Sequence, residues 1–192
     1  VNGRLLDYVA GMTRLVSAPT PGARELVERA AALKRELVAS DDWLPDAFAQ
    51  PDPRFYRQYL LFGDPLERFS VVSFVWGPGQ FTPVHDHTVW GVVGMLRGAE
   101  YNQPFRRGPE GVVAVGDEQR LEPGQVLSLA PDTGDIHRVR NAFADRVSIS
   151  IHTYGGNIGR IQRSVFGLDT PQAKRFVSGY ANALVPNLWP AP

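Results

Sequence analysis

The chain has 192 residues, four histidines, no cysteine, and twenty basic side chains balanced by twenty acidic ones. Its length fits one domain at roughly 100–200 residues per domain, and the missing cysteines exclude disulfides, thiolate zinc sites, iron–sulfur clusters and a cysteine nucleophile. The neutral charge balance offers no positive field to nucleic acid, and no apolar run nears the ~20 residues of a membrane span.

The N-terminal stretch lacks a signal-peptide pattern, so a cytoplasmic protein is expected. Leu5, Leu6, Val9, Met12, Leu15 and Val16 recur at helical spacing and predict a first helix. Ser17–Gly22, with two prolines, breaks it. A second helix is predicted over 23–39, with Leu26, Val27, Ala30, Leu33 and Leu37 on one stripe. Pro45, Pro51 and Pro53 mark a loop. From residue 55 onward, short runs of β-branched and aromatic residues alternate with Gly and Pro. They predict strands at 55–61, 70–77, 83–88, 90–97, 99–105, 111–120, 126–129, 136–141 and 146–153. So many short strands point to an antiparallel sandwich or barrel. A helix is expected over Asp169–Ser178, and the Pro-rich tail after Val185 either packs or frays.

Two histidines stand at i and i+2, His85 and His87, in an H-D-H triplet. On a strand both imidazoles face one way, which suits two cis ligands of a metal. His137 can join them only if the sheet curls over. With no thiolate available, a transition metal must take nitrogen and oxygen ligands. Asp86, between the two, is expected to face away and to act as a structural hydrogen-bond partner. His152 sits in Ser150–Ile151–His152–Thr153–Tyr154. No serine stands in a nucleophile elbow.

Gly79, His85, His87 and Gly98, followed by Gly134, His137 and Asn141, resemble the two motifs of the cupin superfamily. Gly124 and Pro131 are each offset by one residue. Gly91 or Val92 stands where a common cupin carries its glutamate ligand. The resemblance therefore implies a three-histidine site. Over 55–166, the pieces Tyr56–Arg57–Gln58, His85–Asp86–His87, His137 and Ser150–Tyr154 resemble the cysteine dioxygenase type I family of thiol dioxygenases. That resemblance implies a mainly β cupin double-stranded β-helix (jelly-roll) barrel. Residues 1–54 would form a helical N-terminal cover, 55–166 the barrel and 167–192 a C-terminal extension, all in one domain. It further implies Fe(II) on His85, His87 and His137, with a small thiol and O2 as partners and a sulfinic acid as product. Tyr154, His152 and Ser150 would form a proton relay. In the mammalian type a cysteine crosslinks to that tyrosine; this chain has none, so Tyr154 acts as a free phenol.

The chemistry is consistent with that implication. Three neutral imidazoles leave a ferrous ion its full charge, which favours a thiolate ligand, and a facial set leaves positions open. Zinc could occupy the same ligands without the redox chemistry. Where the cysteine-specific branch has an arginine for the substrate carboxylate, this chain has Gln58. The pattern resembles the 3-mercaptopropionate dioxygenase branch, which implies that Arg163 holds the carboxylate and Gln58 lines the pocket. Arg57 and Arg160 are rivals, although strand alternation turns Arg57 away from Gln58. The alternatives are a cysteine dioxygenase and a non-catalytic cupin that binds or senses a small molecule. Oligomeric state is not legible.

Overall fold

The computed structural model describes residues 3–19 and 22–189. Two helices open the chain, α1 (Arg4–Ser17) and α2 (Ala23–Val38). The stripes predicted for them face inward: Leu5, Val9, Met12 and Leu15 on α1, Ala30 and Leu37 on α2 are buried. Part of the Ser17–Gly22 break, residues 20 and 21, lies outside the described residues.

Among the described residues twelve strands follow: β1 (Arg57–Gly63), β2 (Ser70–Trp76), β3 (Val84–His85), β4 (Gly91–Arg97), β5 (Glu100–Gly108), β6 (Gly111–Ala114), β7 (Gln119–Leu121), β8 (Val126–Leu129), β9 (His137–Asn141), β10 (Ser148–Tyr154), β11 (Arg163–Phe166) and β12 (Ala173–Phe176). They form two antiparallel sheets. One has the order β1-β2-β10-β4-β8. The other runs β12-β11-β3-β9-β5-β6, with β7 also on β5. This is the expected mainly β, two-sheet jelly-roll with helices added to one side.

Three expectations need correction. The run 111–120 is two strands, β6 and β7, on one neighbour. The segment 169–178 is no helix, because Ala173–Phe176 pairs with β11 as an edge strand. Sheet pairing overrides helical propensity over so short a stretch. Finally, β3 is only two residues long, so His87 lies beyond it. The tail docks in part: Ala181 N donates to Gln58 O at 2.8 Å, and the Asn182 side chain bonds both backbone groups of Leu60 at 2.8 and 2.9 Å. Among the described residues, no helix is long and apolar enough to cross a membrane.

The centre of the first sheet is buried on both faces. Every residue of β2 and β10 is buried. One face, with Val71, Val75, Ile149 and Ile151, packs under α1 and α2. The other, with Val72, Phe74, Trp76 and Tyr154, looks into the space between the sheets. Strand alternation thus gives β10 two roles: Ile149, Ile151 and Thr153 face the helices, while Ser150, His152 and Tyr154 face the interior.

A lysine lies under the helices. Lys34 is fully buried, with Nζ 2.8 Å from Thr153 Oγ1 and 4.6 Å from the centre of the Tyr8 ring. Tyr8 shares a 2.7 Å hydrogen bond with the same threonine oxygen. Gly94 makes the space, since a Cβ there would stand 2.7 Å from Lys34 Cγ. Burial holds the amine well below its ordinary 10.5. The unfolded chain therefore binds a proton that the folded chain refuses, and stability rises with pH up to about 10.5 through this group. Lys34→Met keeps the packing without that proton. It is expected to be more stable than wild type at pH 7, whereas Lys34→Ala loses about 2–4 kcal/mol, as for other large buried side chains. Urea unfolding of both variants checks this; a Lys34→Met protein less stable than wild type contradicts it.

Candidate metal centre

His85 and His137 are register partners across β3 and β9. The ring of His87 closes a triangle, with centroid separations of 4.9 Å to His85 and 4.8 Å to His137. His85 and His137 are 4.8 Å apart. One ring nitrogen of each lies within 4.8 Å of the others, and all three residues are buried.

The tautomers follow from the partners. Nδ1 of His85 donates to the Pro83 carbonyl at 3.0 Å. Nδ1 of His87 donates to the Asp135 carbonyl at 3.1 Å, and Nδ1 of His137 donates to Asn102 Oδ1 at 2.5 Å. Each Nδ1 thus carries the proton, and each Nε2 keeps its lone pair for the common centre. Nε2 of His87 is buried and has no partner. A buried orphan acceptor facing two more imidazoles fits a metal ion that takes nitrogen ligands. Burial first, and then the charge of Arg163, keep the rings neutral, with repulsion from the neighbouring rings added at His87 and His137: His85 is held down to about 4, and His87 and His137 well below 6.5.

His87 is placed by a residue that sequence reasoning missed. The Asp135 carboxylate accepts the backbone N–H groups of His87 and Thr88, both at 2.9 Å. These bonds replace the ladder where β3 stops. They also hold Thr88 at φ +60, a region that β-branched residues avoid. Asp86 faces away, as expected, and accepts Ser164 N at 2.7 Å.

Beside the triangle, the Tyr154 ring stacks on His87 with centroids 5.3 Å apart. Its hydroxyl is 2.8 Å from Nδ1 of His152, and Nε2 of His152 is 2.9 Å from Ser150 Oγ. Phe74 stacks on the His152 ring at 3.9 Å, and the Trp76 indole donates to Ser150 at 3.1 Å. Burial raises the Tyr154 phenol and lowers His152, so both stay neutral. Gly91 gives the phenol its room: a Cβ there would meet the ring at 3.2 Å.

Arg163, from β11, points inward. It is 3% exposed, against the solvated charge its local sequence suggests. Its Nη2 donates to Ser178 Oγ at 2.8 Å, and its guanidinium lies 4.6 Å from the centre of the Phe176 ring. Nε has no partner. Its charge bears on His85, His87 and Tyr154. Gln58 is half-buried, with Oε1 unpartnered. The rivals are engaged elsewhere: Arg57 pairs with the buried Asp52, and Arg160 with Glu67 at an exposed position.

The family model described as cysteine dioxygenase type I matches residues 23–164. The chain belongs to the cysteine dioxygenase type I family. Its function is accordingly of the thiol dioxygenase type, a metal-dependent oxidation of a small thiol by dioxygen. The chain is also similar to solved structures. A conserved protein with a double-stranded β-helix domain from Klebsiella pneumoniae is 19% identical, with 65% of this chain and 92% of that one covered at a TM-score of 0.46. A cupin superfamily protein from Desulfitobacterium hafniense is 11% identical, with 56% and 84% covered at 0.44. The strand order above, rather than these distant likenesses, defines the fold.

Four buried neutral histidines make the metal-free dioxygenase acid-sensitive. Below about 6.5 the unfolded chain takes up protons that the folded rings refuse, so stability falls as pH drops from about 6.5 toward 4. Glu100, pushed up to about 7, acts oppositely, costing stability between about 4.5 and 7. One carboxyl against four imidazoles leaves the acid loss dominant. Thermal melts of metal-free protein should show Tm falling steadily from pH 6.5 to 4.5; a flat profile contradicts neutral burial of the four rings.

Proposed function

We propose that this protein is an Fe(II)-dependent dioxygenase that converts 3-mercaptopropionate to its sulfinic acid. The observation that carries the choice of a thiol carboxylate is Arg163: a buried guanidinium with no carboxylate within 4.0 Å among the described residues. Burying an arginine without an anion is costly. A substrate carboxylate supplies the missing charge, and Nε with Nη2 can take it as a fork.

In this reading His85, His87 and His137 hold the metal. Ferrous iron, when bound, supplies the redox chemistry by which both atoms of dioxygen reach the sulfur. The protein does the rest. Arg163 fixes the carboxylate, and its distance from the histidine triangle acts as a ruler for the carbon spacer between sulfur and carboxylate. Gln58 lines that end of the pocket with an uncharged amide. Tyr154 offers its phenol on the face of His87, and His152 and Ser150 orient it. Phe74, Trp76 and Tyr56 wall the space with stacked rings, Tyr56 and Trp76 being 4.9 Å apart, and exclude bulk water from the thiol.

Cysteine is the alternative substrate. Gln58, at the position where the cysteine-specific branch carries an arginine, weighs against it. Arg163→Ala removes a charge-assisted contact worth about 1.5–3 kcal/mol, or roughly ten- to hundredfold in kcat/KM. The expected result is that loss with 3-mercaptopropionate and a much smaller one with cysteamine, which has no carboxylate, both measured by oxygen uptake. Equal losses on the two thiols overturn the carboxylate role, and faster turnover of cysteine than of 3-mercaptopropionate by wild type overturns the substrate choice.

A further inference from the structure

β1 is the edge strand of one sheet and β12 the edge strand of the other. Residues 177–182, which follow β12, cross from the second edge to the first. Hydrogen bonds pin this run at three points. Gly179 N donates to Gly159 O at 3.0 Å, Ala181 N donates to Gln58 O at 2.8 Å, and the Asn182 side chain holds both backbone groups of Leu60. Tyr180 anchors the middle of the run. Its hydroxyl accepts Gly159 N at 3.0 Å and donates to Asn157 Oδ1 at 2.8 Å. Gly159 leaves room for the ring, because a Cβ there would collide with it. Gly179 stands at φ +64, a conformation that glycine adopts freely and that lets the run turn off the sheet. The side chains of β12 are mostly exposed, so these pins, and not strand packing, fix the run in place.

Ser178 lies at the start of the run, half-buried, where it meets Arg163. Its Oγ accepts a hydrogen bond from Nη2 at 2.8 Å. The guanidinium also stands 4.6 Å from the centre of the Phe176 ring. Arg163 and Phe176 are register partners, which sets both side chains on one face of the β11–β12 pair. Contact with the ring limits the tilt of the guanidinium, and the bond to Ser178 limits its rotation. Nη2 has two protons, and Ser178 takes one of them. The other, together with the proton on the buried and unpartnered Nε, is left over. Two such protons are what a carboxylate takes as a fork. Ser178 thus aims the arginine without using up its capacity.

We propose that Ser178 is a positioning residue for the carboxylate site, and that it sets the affinity for a thiol acid through Arg163. The inference rests on the carboxylate role proposed for Arg163 above. An arginine side chain has much rotamer freedom to lose when it closes on a ligand. Ser178 orders the guanidinium as the chain folds, so the ligand no longer has to do so. Three residues further on, Ala181 holds the backbone of Gln58. One short run therefore fixes both residues at this end of the pocket, and it keeps constant the span that measures the carbon spacer. A serine that only capped the edge of the sheet would affect every thiol alike. One that acts through Arg163 affects only thiols that carry a carboxylate.

The test is calorimetric titration of zinc-loaded protein, which reads binding without turnover. Ser178→Ala should weaken binding of 3-mercaptopropionate roughly three- to tenfold, the range for one lost hydrogen bond, and leave cysteamine within about twofold. Ser178→Thr keeps the hydroxyl and should restore the affinity for the acid. Adding Ser178→Ala to Arg163→Ala should weaken the acid no further, because a residue that acts through another has nothing left to act on. In iron-loaded Ser178→Ala the loss should fall on KM for 3-mercaptopropionate, with kcat little changed. Equal weakening of both thiols overturns the proposal. So does unchanged binding of the acid, or a full further loss in the double variant. The calorimetric arm does not depend on dioxygen chemistry. The expected binding pattern in a protein that consumes no oxygen with any thiol would refute the dioxygenase function and leave the role of Ser178 standing. Oxidation of 3-mercaptopropionate with the same KM in wild type and Ser178→Ala would keep that function and refute the role of Ser178.

Discussion

Three imidazoles must meet at one buried point with their lone pairs free, and the rest of the structure serves that requirement. Neutral rings in the interior need their N–H groups satisfied, and each Nδ1 finds a protein oxygen: Pro83, Asp135 and Asn102. With those bonds made, the Nε2 atoms have nothing to face but one another. The pairing of β3 with β9 sets His85 opposite His137, and Asp135 bends the chain after β3 so that His87 completes the set. A metal bound here releases four otherwise awkward groups, the three Nε2 lone pairs and the buried Arg163, whose charge an anionic ligand of the same metal can neutralise.

β10 shows how a single strand serves both stability and chemistry. Its outward side chains, Ile149, Ile151 and Thr153, lie under the helices, where Thr153 answers Lys34 and Tyr8. Its inward side chains, Ser150, His152 and Tyr154, form one hydrogen-bonded line along the interior. The helical layer therefore does more than cover the sheet. It buries the back of the strand that carries the phenol, while the second sheet lies over the front. Low dielectric then strengthens each polar contact and raises the penalty for leaving any unmade. This is why the unpartnered atoms of His87, Arg163, Gln58 and Glu100 are informative.

What was legible in the sequence was whatever local period encodes. His85 and His87 at i and i+2, the alternation of Ser150, His152 and Tyr154, and the opposite facing of Arg57 and Gln58 all follow from the two-residue repeat of a strand. The helical stripes were equally plain. What escaped was set by long-range pairing. Asp135 and Asn102 are ordinary polar residues in local context, and only long-range contacts, the β5–β9 pairing for Asn102 among them, bring them to the histidines. Lys34 sits on a helical face that reads as solvated until Gly94 opens a place for it. β11 and β12 are short, carry arginine and lysine, and exist because the sheet edge offers them partners. Arg163 was found by resemblance to a family; its burial was not legible locally.

The central claim is that this histidine triangle, with its phenol and its buried arginine, adds dioxygen to the sulfur of a small thiol acid. The most direct measurement is turnover of 3-mercaptopropionate by ferrous-loaded protein under isotopically labelled dioxygen, with mass analysis of the product. The account predicts one dioxygen consumed per thiol and a sulfinic acid carrying two labelled oxygen atoms. A disulfide product, or a sulfinic acid with one labelled oxygen or none, would contradict it.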